Sequence, residues 1–176
     1  MTYVDTCYVM MFINKKDVLR AEYGIERKPI DKLIADSVFR VPLSAIGETF
    51  HKIGDKVKDR EHRMDIYREL QRLFDIGFLE VAHIDSGAEV FSRAATIMCK
   101  NNGDDRDSIS PMDALILAVL VSDRESKFFC TTDQKLMFNY ELKEYIKDER
   151  NAMGFDEIVI KDLLLKGKPG KNKSWN

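Results

Sequence analysis

The chain has 176 residues, of which 44% are hydrophobic and 33% charged, a composition that indicates one folded domain and excludes a disordered protein. A formal net charge of −2 argues against a protein that coats nucleic acid by charge alone. No apolar run is long enough to span a bilayer, and the N-terminus lacks a secretory pattern. Three widely spaced cysteines show no zinc spacing and indicate a reducing compartment: Cys7, Cys99 and Cys130. We therefore expect a cytoplasmic protein without membrane association.

The pattern of apolar and turn-forming residues predicts short strands that alternate with helices. In chain order these are a strand at 2–4, a helix at 6–13, a strand within 37–43, a helix from 44, a helix at 59–77, a strand within 78–84, a helix at 86–100, a helix from 110, a strand at 127–130, a helical turn at 134–138 and a strand at 158–160. A short helix and a lysine-rich tail are expected in the remainder.

Several local signals set these expected boundaries. Gly24 and Pro29 predict breaks in the mixed segment that precedes the second strand. Ser44 is expected to cap the helix that follows this strand, with a set of apolar residues on one side of that helix: Ile46, Phe50 and Ile53. The next helix is expected to end at Gly77 and to carry a second apolar set: Met64, Tyr67, Leu70 and Phe74.

The segment after Ser110 is apolar enough to be either a buried strand or a buried helix. Ser110 can accept a hydrogen bond as an N-cap, and Pro111 suits the first helical position. These two residues favour the helix.

Alternating strands and helices predict a parallel sheet covered by helices on both faces. In sheets of this kind, ligands bind beyond the carboxyl ends of the strands. We therefore expect any functional side chains to gather at that edge.

Four carboxylates are predicted to meet at this edge. Asp5 and Asp133 each follow a predicted strand, while Glu48 and Asp113 lie in the first turns of helices that leave the same edge. Taken singly, each acid is better explained as a helix cap or a solvent-facing residue. Taken together, they would repel one another unless a cation compensated their charge, and hard divalent ions prefer oxygen ligands. The four acids therefore indicate a metal site.

Four stretches carry a resemblance to a known family. They are Tyr3-Val4-Asp5-Thr6, Pro42-Leu43-Ser44-Ala45-Ile46-Gly47-Glu48, Ser110-Pro111-Met112-Asp113-Ala114-Leu115-Ile116-Leu117-Ala118 and Cys130-Thr131-Thr132-Asp133. Each is weak alone, and the third is the most specific. In this order and spacing, across residues 1 to about 160, the sequence resembles the PIN-domain family, especially its VapC-like prokaryotic ribonucleases.

The resemblance implies an α/β protein, a three-layer α/β/α sandwich whose central parallel sheet has strand order 3-2-1-4-5. It implies a metal-dependent ribonuclease in which Asp5, Glu48, Asp113 and Asp133 are catalytic residues and ligands of Mg²⁺ or Mn²⁺. Thr6 and Thr131 match hydroxyl positions that support the first and last acids. The implied reaction is hydrolysis of RNA that leaves a 5′-phosphate and a 3′-hydroxyl. The implied partners are RNA, a second copy of the chain and a small inhibitory protein of the antitoxin type.

Three other functions are weighed against this one. A catalytically idle PIN fold could serve as a binding or scaffolding module, and the same metal site could cut DNA or flap structures. Two carboxylate–histidine pairs, Glu48 with His51 and Glu80 with His83, superficially resemble a di-iron site. That chemistry needs both pairs on helices, and the second pair falls in a predicted strand.

We expect residues 1–165 to form a single nuclease domain with a helical insertion around 55–77. The tail at 166–176 holds four lysines and no acid, whereas the rest of the chain has 24 basic residues against 30 acidic ones. The tail is expected to be a solubilising end, and the alternative is an arm that attracts RNA.

Overall fold

A computed structural model describes residues 1–15, 21–22, 24–82, 87–100 and 109–164. Within these residues it contains five strands: β1 (Thr2–Val4), β2 (Phe39–Val41), β3 (Leu79–Val81), β4 (Phe128–Cys130) and β5 (Val159–Lys161). The helices discussed below are α1 (Thr6–Ile13), α2 (Arg27–Asp36), α3 (Leu43–Lys56), α4 (Arg60–Asp75), α5 (Gly87–Lys100), α6 (Pro111–Ser122), α7 (Gln134–Phe138) and α8 (Tyr140–Ala152). In the described part of the chain, no helix combines the length and apolar character needed to cross a membrane.

The five strands form one parallel sheet in the order β3-β2-β1-β4-β5, flanked by helices. This confirms the predicted three-layer α/β/α architecture and its strand order. β1 lies in the centre, where Tyr3 pairs with Arg40 of β2 and Val4 pairs with Cys130 of β4. Because all strands run the same way, the residues that follow them lie at one edge of the sheet.

The core consists of the central strand and the two most apolar helices. Nearly every residue of α1 is buried, as expected for a helix that is hydrophobic all round. α6 is buried from Ile116 to Val121, so the helix indicated by Ser110 and Pro111 is confirmed. Between α1, β2 and the start of β3, the rings of Phe12 and Phe39 stack on each other, and both meet Phe78 edge to face.

Arg150 of α8 fixes the chain between α6 and β4. Its guanidinium is fully buried and donates hydrogen bonds to six backbone carbonyls: those of Leu120, Val121, Asp123, Arg124, Ser126 and Asp156. Since carbonyls at a helix end have no partner within the helix, the guanidinium satisfies groups that would otherwise be buried without one.

Some local expectations were wrong. The third helix begins at Leu43, one residue before Ser44, and it has no side-chain cap. Pro29 lies inside the first turn of α2, where a proline is tolerated because its missing N–H has no helical partner. Phe50 is exposed and instead packs against the ring of Tyr67 from α4.

Two further differences concern the helices. Met64 is also exposed, because α4 turns a neighbouring set of residues to the core: Ile66, Leu70 and Leu73. α8 is a 13-residue helix in a part of the chain, between the helical turn at 134–138 and the last strand, for which no element was predicted. The expectations for His83 and for the tail lie outside the described residues.

Candidate active site

Asp5 lies where β1 ends and α1 begins, at the carboxyl edge of the sheet. Its Oδ1 accepts hydrogen bonds from the backbone N–H groups of Cys7 and Tyr8, so Asp5 is the N-cap of α1. Only 6% of the residue is exposed. Burial raises the pKa of this carboxyl, and hydrogen bonds from Cys7, Thr131 and Tyr8 oppose the rise. The centre of the edge therefore holds an acid that is costly to ionise.

Glu48 is brought to the same edge by the second turn of α3. The buried Thr6 hydroxyl donates to its Oε2 at 2.6 Å, which joins α3 to the residue directly after Asp5. Its Oε1 lies 2.7 Å from the Nζ of Lys52, one turn further along the helix. Both oxygens of Glu48 are thus held by donors from the protein.

Asp113 occupies the first turn of α6. Its backbone N–H donates to Oγ of Ser110, whose hydroxyl donates to Oδ2 of Asp113 at 2.6 Å. This reciprocal pair is the capping arrangement that the sequence predicted. Burial raises the pKa of Asp113, and the negative charges of Glu48 and Asp133 raise it further, while Ser110 opposes them. Asp113 is therefore close enough to two other acids to feel their charge.

Asp133 follows β4 and caps α7 by accepting a hydrogen bond from the N–H of Lys135. Its own N–H donates to Oγ1 of Thr131 at 2.9 Å. The fully buried Thr131 is also hydrogen-bonded to Asp5. Thr131 thus connects the first and last acids, just as Thr6 connects α1 with Glu48.

These contacts place the four predicted acids and both hydroxyl residues around one edge. The carboxylates do not converge on a single point, however. Among the described residues, no three His, Cys, Asp or Glu side chains are arranged closely enough to hold a metal ion. Each acid is instead engaged by a helix cap, a hydroxyl or a lysine, so the ordinary explanations of Asp5 and Asp133 as caps, and of Asp113 as part of a capped helix start, are also correct.

Two residues of this edge were missed as site residues. Cys7 donates its thiol proton to Asp5 and accepts a hydrogen bond from the Thr132 hydroxyl at 3.0 Å, and no pattern in the sequence indicates these contacts. The ion pair of Lys52 with Glu48 was predictable from the sequence, because residues four apart on a helix are neighbours and the acid precedes the lysine, which is the favourable order.

The described residues of the two histidine pairs do not have the arrangement of a di-iron site. His51 is exposed on α3 and pairs with Asp55 at 3.2 Å, as expected for a residue on the helix surface. Glu80 lies in β3, so the second pair does not have the helical setting that a di-iron site requires.

No model of a known protein family matches the sequence, and no curated protein matches it either. Among solved structures, the chain is similar to a chain of VapBC2 from Rickettsia felis, crystallised with a DNA fragment from its promoter. The identity is 13%, the match covers 92% of this chain and 98% of that chain, and the TM-score is 0.52. This similarity supports the PIN-like fold.

Proposed function

We propose that this protein is a metal-dependent endoribonuclease whose acidic edge binds Mg²⁺ or Mn²⁺. The observation that carries the proposal is that Asp113 lies within electrostatic reach of two other acids, because the charges of Glu48 and Asp133 both raise its pKa. A carboxylate beside two others is unfavourable for stability alone, and such a cluster is typical of a site that a cation completes. Their position at the carboxyl edge of the sheet, where parallel sheets bind ligands, supports the proposal.

The donor set suits a hard divalent ion. Asp5, Glu48, Asp113 and Asp133 supply carboxylate oxygens, which Mg²⁺ and Mn²⁺ prefer. Without a cation, mutual repulsion favours conformations in which each carboxylate turns to its own protein donor, and this explains why the side chains do not converge. We expect convergence to need changes in side-chain torsion only, since the caps and hydroxyls already hold all four residues at one edge.

The proposed reaction is hydrolysis of a phosphodiester bond. Water adds to phosphorus and the bond to the 3′ oxygen breaks, so the fragments carry a 5′-phosphate and a 3′-hydroxyl. A bound divalent ion would lower the pKa of a water molecule coordinated to it and would offset the negative charge on the phosphate. Thr6 keeps Glu48 facing the edge, and Thr131 holds Asp5 and Asp133 in register with each other.

The test is incubation of the purified protein with single-stranded RNA and with DNA, in Mg²⁺, Mn²⁺ or a chelator. We expect cleavage of RNA that a chelator abolishes and that Asp5→Asn eliminates in a folded protein. Cleavage of DNA alone would support the alternative substrate.

The engagement of every acid by protein donors favours one competing proposal, an idle PIN fold that acts as a binding module. Such a module would cut neither nucleic acid and would show no binding of Mn²⁺ by calorimetry.

We propose a homodimer, which light scattering would test, and a monomer at high protein concentration would contradict it. We also propose a small inhibitory protein that covers the acidic edge, and the similarity to a VapBC2 chain supports this second partner. Copurification from the native source would test it.

A further inference from the structure

Lys52 is the cation nearest to the proposed metal ligands for which the structure gives a contact. Its Nζ lies 2.7 Å from Oε1 of Glu48, and 40% of its side chain is exposed. Glu48 is 22% exposed, and its other oxygen is already held by Thr6. Both carboxylate oxygens of Glu48 are therefore occupied by protein donors, and one of these donors is an ammonium group.

A divalent ion and this ammonium group cannot share the oxygen comfortably. A magnesium ion would lie about 2.1 Å from a carboxylate ligand, next to an ammonium that is 2.7 Å from the same atom. The two cations repel each other strongly in a site that is only partly open to water. Because lysine has a long, flexible stem, Lys52 can leave Glu48 without any movement of the backbone.

We infer that Lys52 is a phosphate-binding residue that neutralises Glu48 in the metal-free protein and moves to the RNA backbone when a divalent ion takes its place. This inference rests on the proposed function, since it assumes that RNA and metal meet at Glu48. A lysine binds phosphate as a point charge, so the contact requires no particular base. Lys52 then contributes to substrate binding and opposes metal binding, a pair of effects that a purely structural residue would not produce.

Helix α3 supplies a matched control. Lys56 lies one turn beyond Lys52, is 54% exposed and pairs with Glu22 at 3.7 Å, away from the four acids. Lys52→Met and Lys56→Met remove the same charge from the same helix with the same loss of side-chain length. Only the first is expected to alter the site.

The experiment measures two affinities in the full chain. Calorimetry gives the affinity for Mn²⁺ without RNA, and we expect Lys52→Met to raise it about fivefold, because a competing ion pair is lost. Titration of a short single-stranded RNA in Ca²⁺, at several salt concentrations, gives the second affinity. We expect Lys52→Met to weaken RNA binding and to reduce the slope of log affinity against log salt by about 0.7, the value for one lost phosphate contact. Lys56→Met should change neither quantity.

The outcomes separate this inference from the proposed function. If the unmodified protein binds no Mn²⁺ and cuts no RNA, the proposed function is wrong and the role of Lys52 falls with it. If the unmodified protein does both, but Lys52→Met leaves the salt slope unchanged or lowers the affinity for Mn²⁺, the inference alone is wrong. In that case Lys52 only holds Glu48 in place.

Discussion

Replacing Thr6 by valine tests whether the contacts around Glu48 serve the reaction or only the fold. Valine has nearly the shape of threonine, so Thr6→Val removes the hydroxyl without opening a cavity. The lost bond is the 2.6 Å contact to Oε2 of Glu48, and Thr6 is 3% exposed. Hydrogen bonds to charged groups contribute about 1.5–3 kcal/mol. Because 22% of the Glu48 side chain is exposed, water replaces part of this hydrogen-bond energy in the variant. We therefore expect the free energy of unfolding to fall by about 1–2 kcal/mol.

The effect on activity should be larger than this loss of stability implies. Outer contacts that orient a metal-binding carboxylate typically change metal affinity or activity by about 10–100-fold. We therefore expect Thr6→Val to slow RNA cleavage by that factor and to shift its dependence on Mn²⁺ to higher concentrations. Thr6→Ser, which keeps the hydroxyl, should recover most of the activity.

A buried threonine on α3, the helix that carries Glu48, provides the control. Thr49 is fully buried and donates to the carbonyl of Ala45 at 2.8 Å, without contacting an acid. Thr49→Val should cost about 0.5–1.5 kcal/mol, the value of a neutral hydrogen bond, and should leave cleavage unchanged.

Urea unfolding in chelator gives the stability of each variant, and initial rates over a Mn²⁺ series give the activity. If Thr6→Val loses stability but cuts RNA at the normal rate at every Mn²⁺ concentration, the bond is structural and Glu48 needs no positioning by Thr6. If Thr49→Val is equally impaired in cleavage, the effect belongs to the helix as a whole.

Four other outcomes can be measured with the same assays. Burial raises the pKa of Asp5, so its ionised form destabilises the native state once the pH rises above the usual carboxyl range. Asp5→Asn should therefore raise the free energy of unfolding of the metal-free protein at neutral pH, and this gain should disappear in acid. Protons compete with metal at Asp5 and Asp113, so calorimetry should show Mn²⁺ affinity rising with pH through their raised pKa values. Arg150→Met should cost about 3–5 kcal/mol in urea unfolding, because buried carbonyls lose their donor; a loss below about 1 kcal/mol would show that water replaces it. A chain that ends at Leu165 should bind RNA more weakly and with a flatter salt dependence if the lysine tail is an RNA arm, and unchanged values would leave it a solubilising end.

The architecture was predictable because its signals are local and repeated. The strand-to-helix junction at Asp5 and the Ser110-Pro111 start of α6 were both read correctly, and each follows from capping chemistry in a few adjacent residues. The strand order was different in kind, since it came from the resemblance and not from hydrophobic periodicity. A parallel sheet of alternating elements leaves several orders open, and sequence pattern alone does not choose among them.

The residues that sequence reasoning misplaced depend on tertiary packing. Phe50 fits the apolar side of α3 by spacing, but it is exposed at the margin between α3 and α4, where it meets Tyr67. Arg150 is the opposite case, a charged residue in an amphipathic helix that is fully buried because six carbonyls surround it. Hydrophobic periodicity predicts on which side of a helix a residue lies, but it does not predict which other elements pack against that side.

In the sequence, each aspartate could be explained either as a helix cap or as a metal ligand. In the structure, one carboxylate can serve both roles. A carboxylate has two oxygens, and the backbone bonds to Asp5 and Asp133 all go to Oδ1. Asp113 likewise accepts from the Ser110 hydroxyl through a single oxygen, Oδ2. The bonds at the helix starts therefore hold these three aspartates at the edge through one oxygen each and leave the other oxygen able to turn towards a cation. They also bring backbone N–H donors to the carboxylates of Asp5 and Asp133, which helps the acids remain close together before any metal arrives.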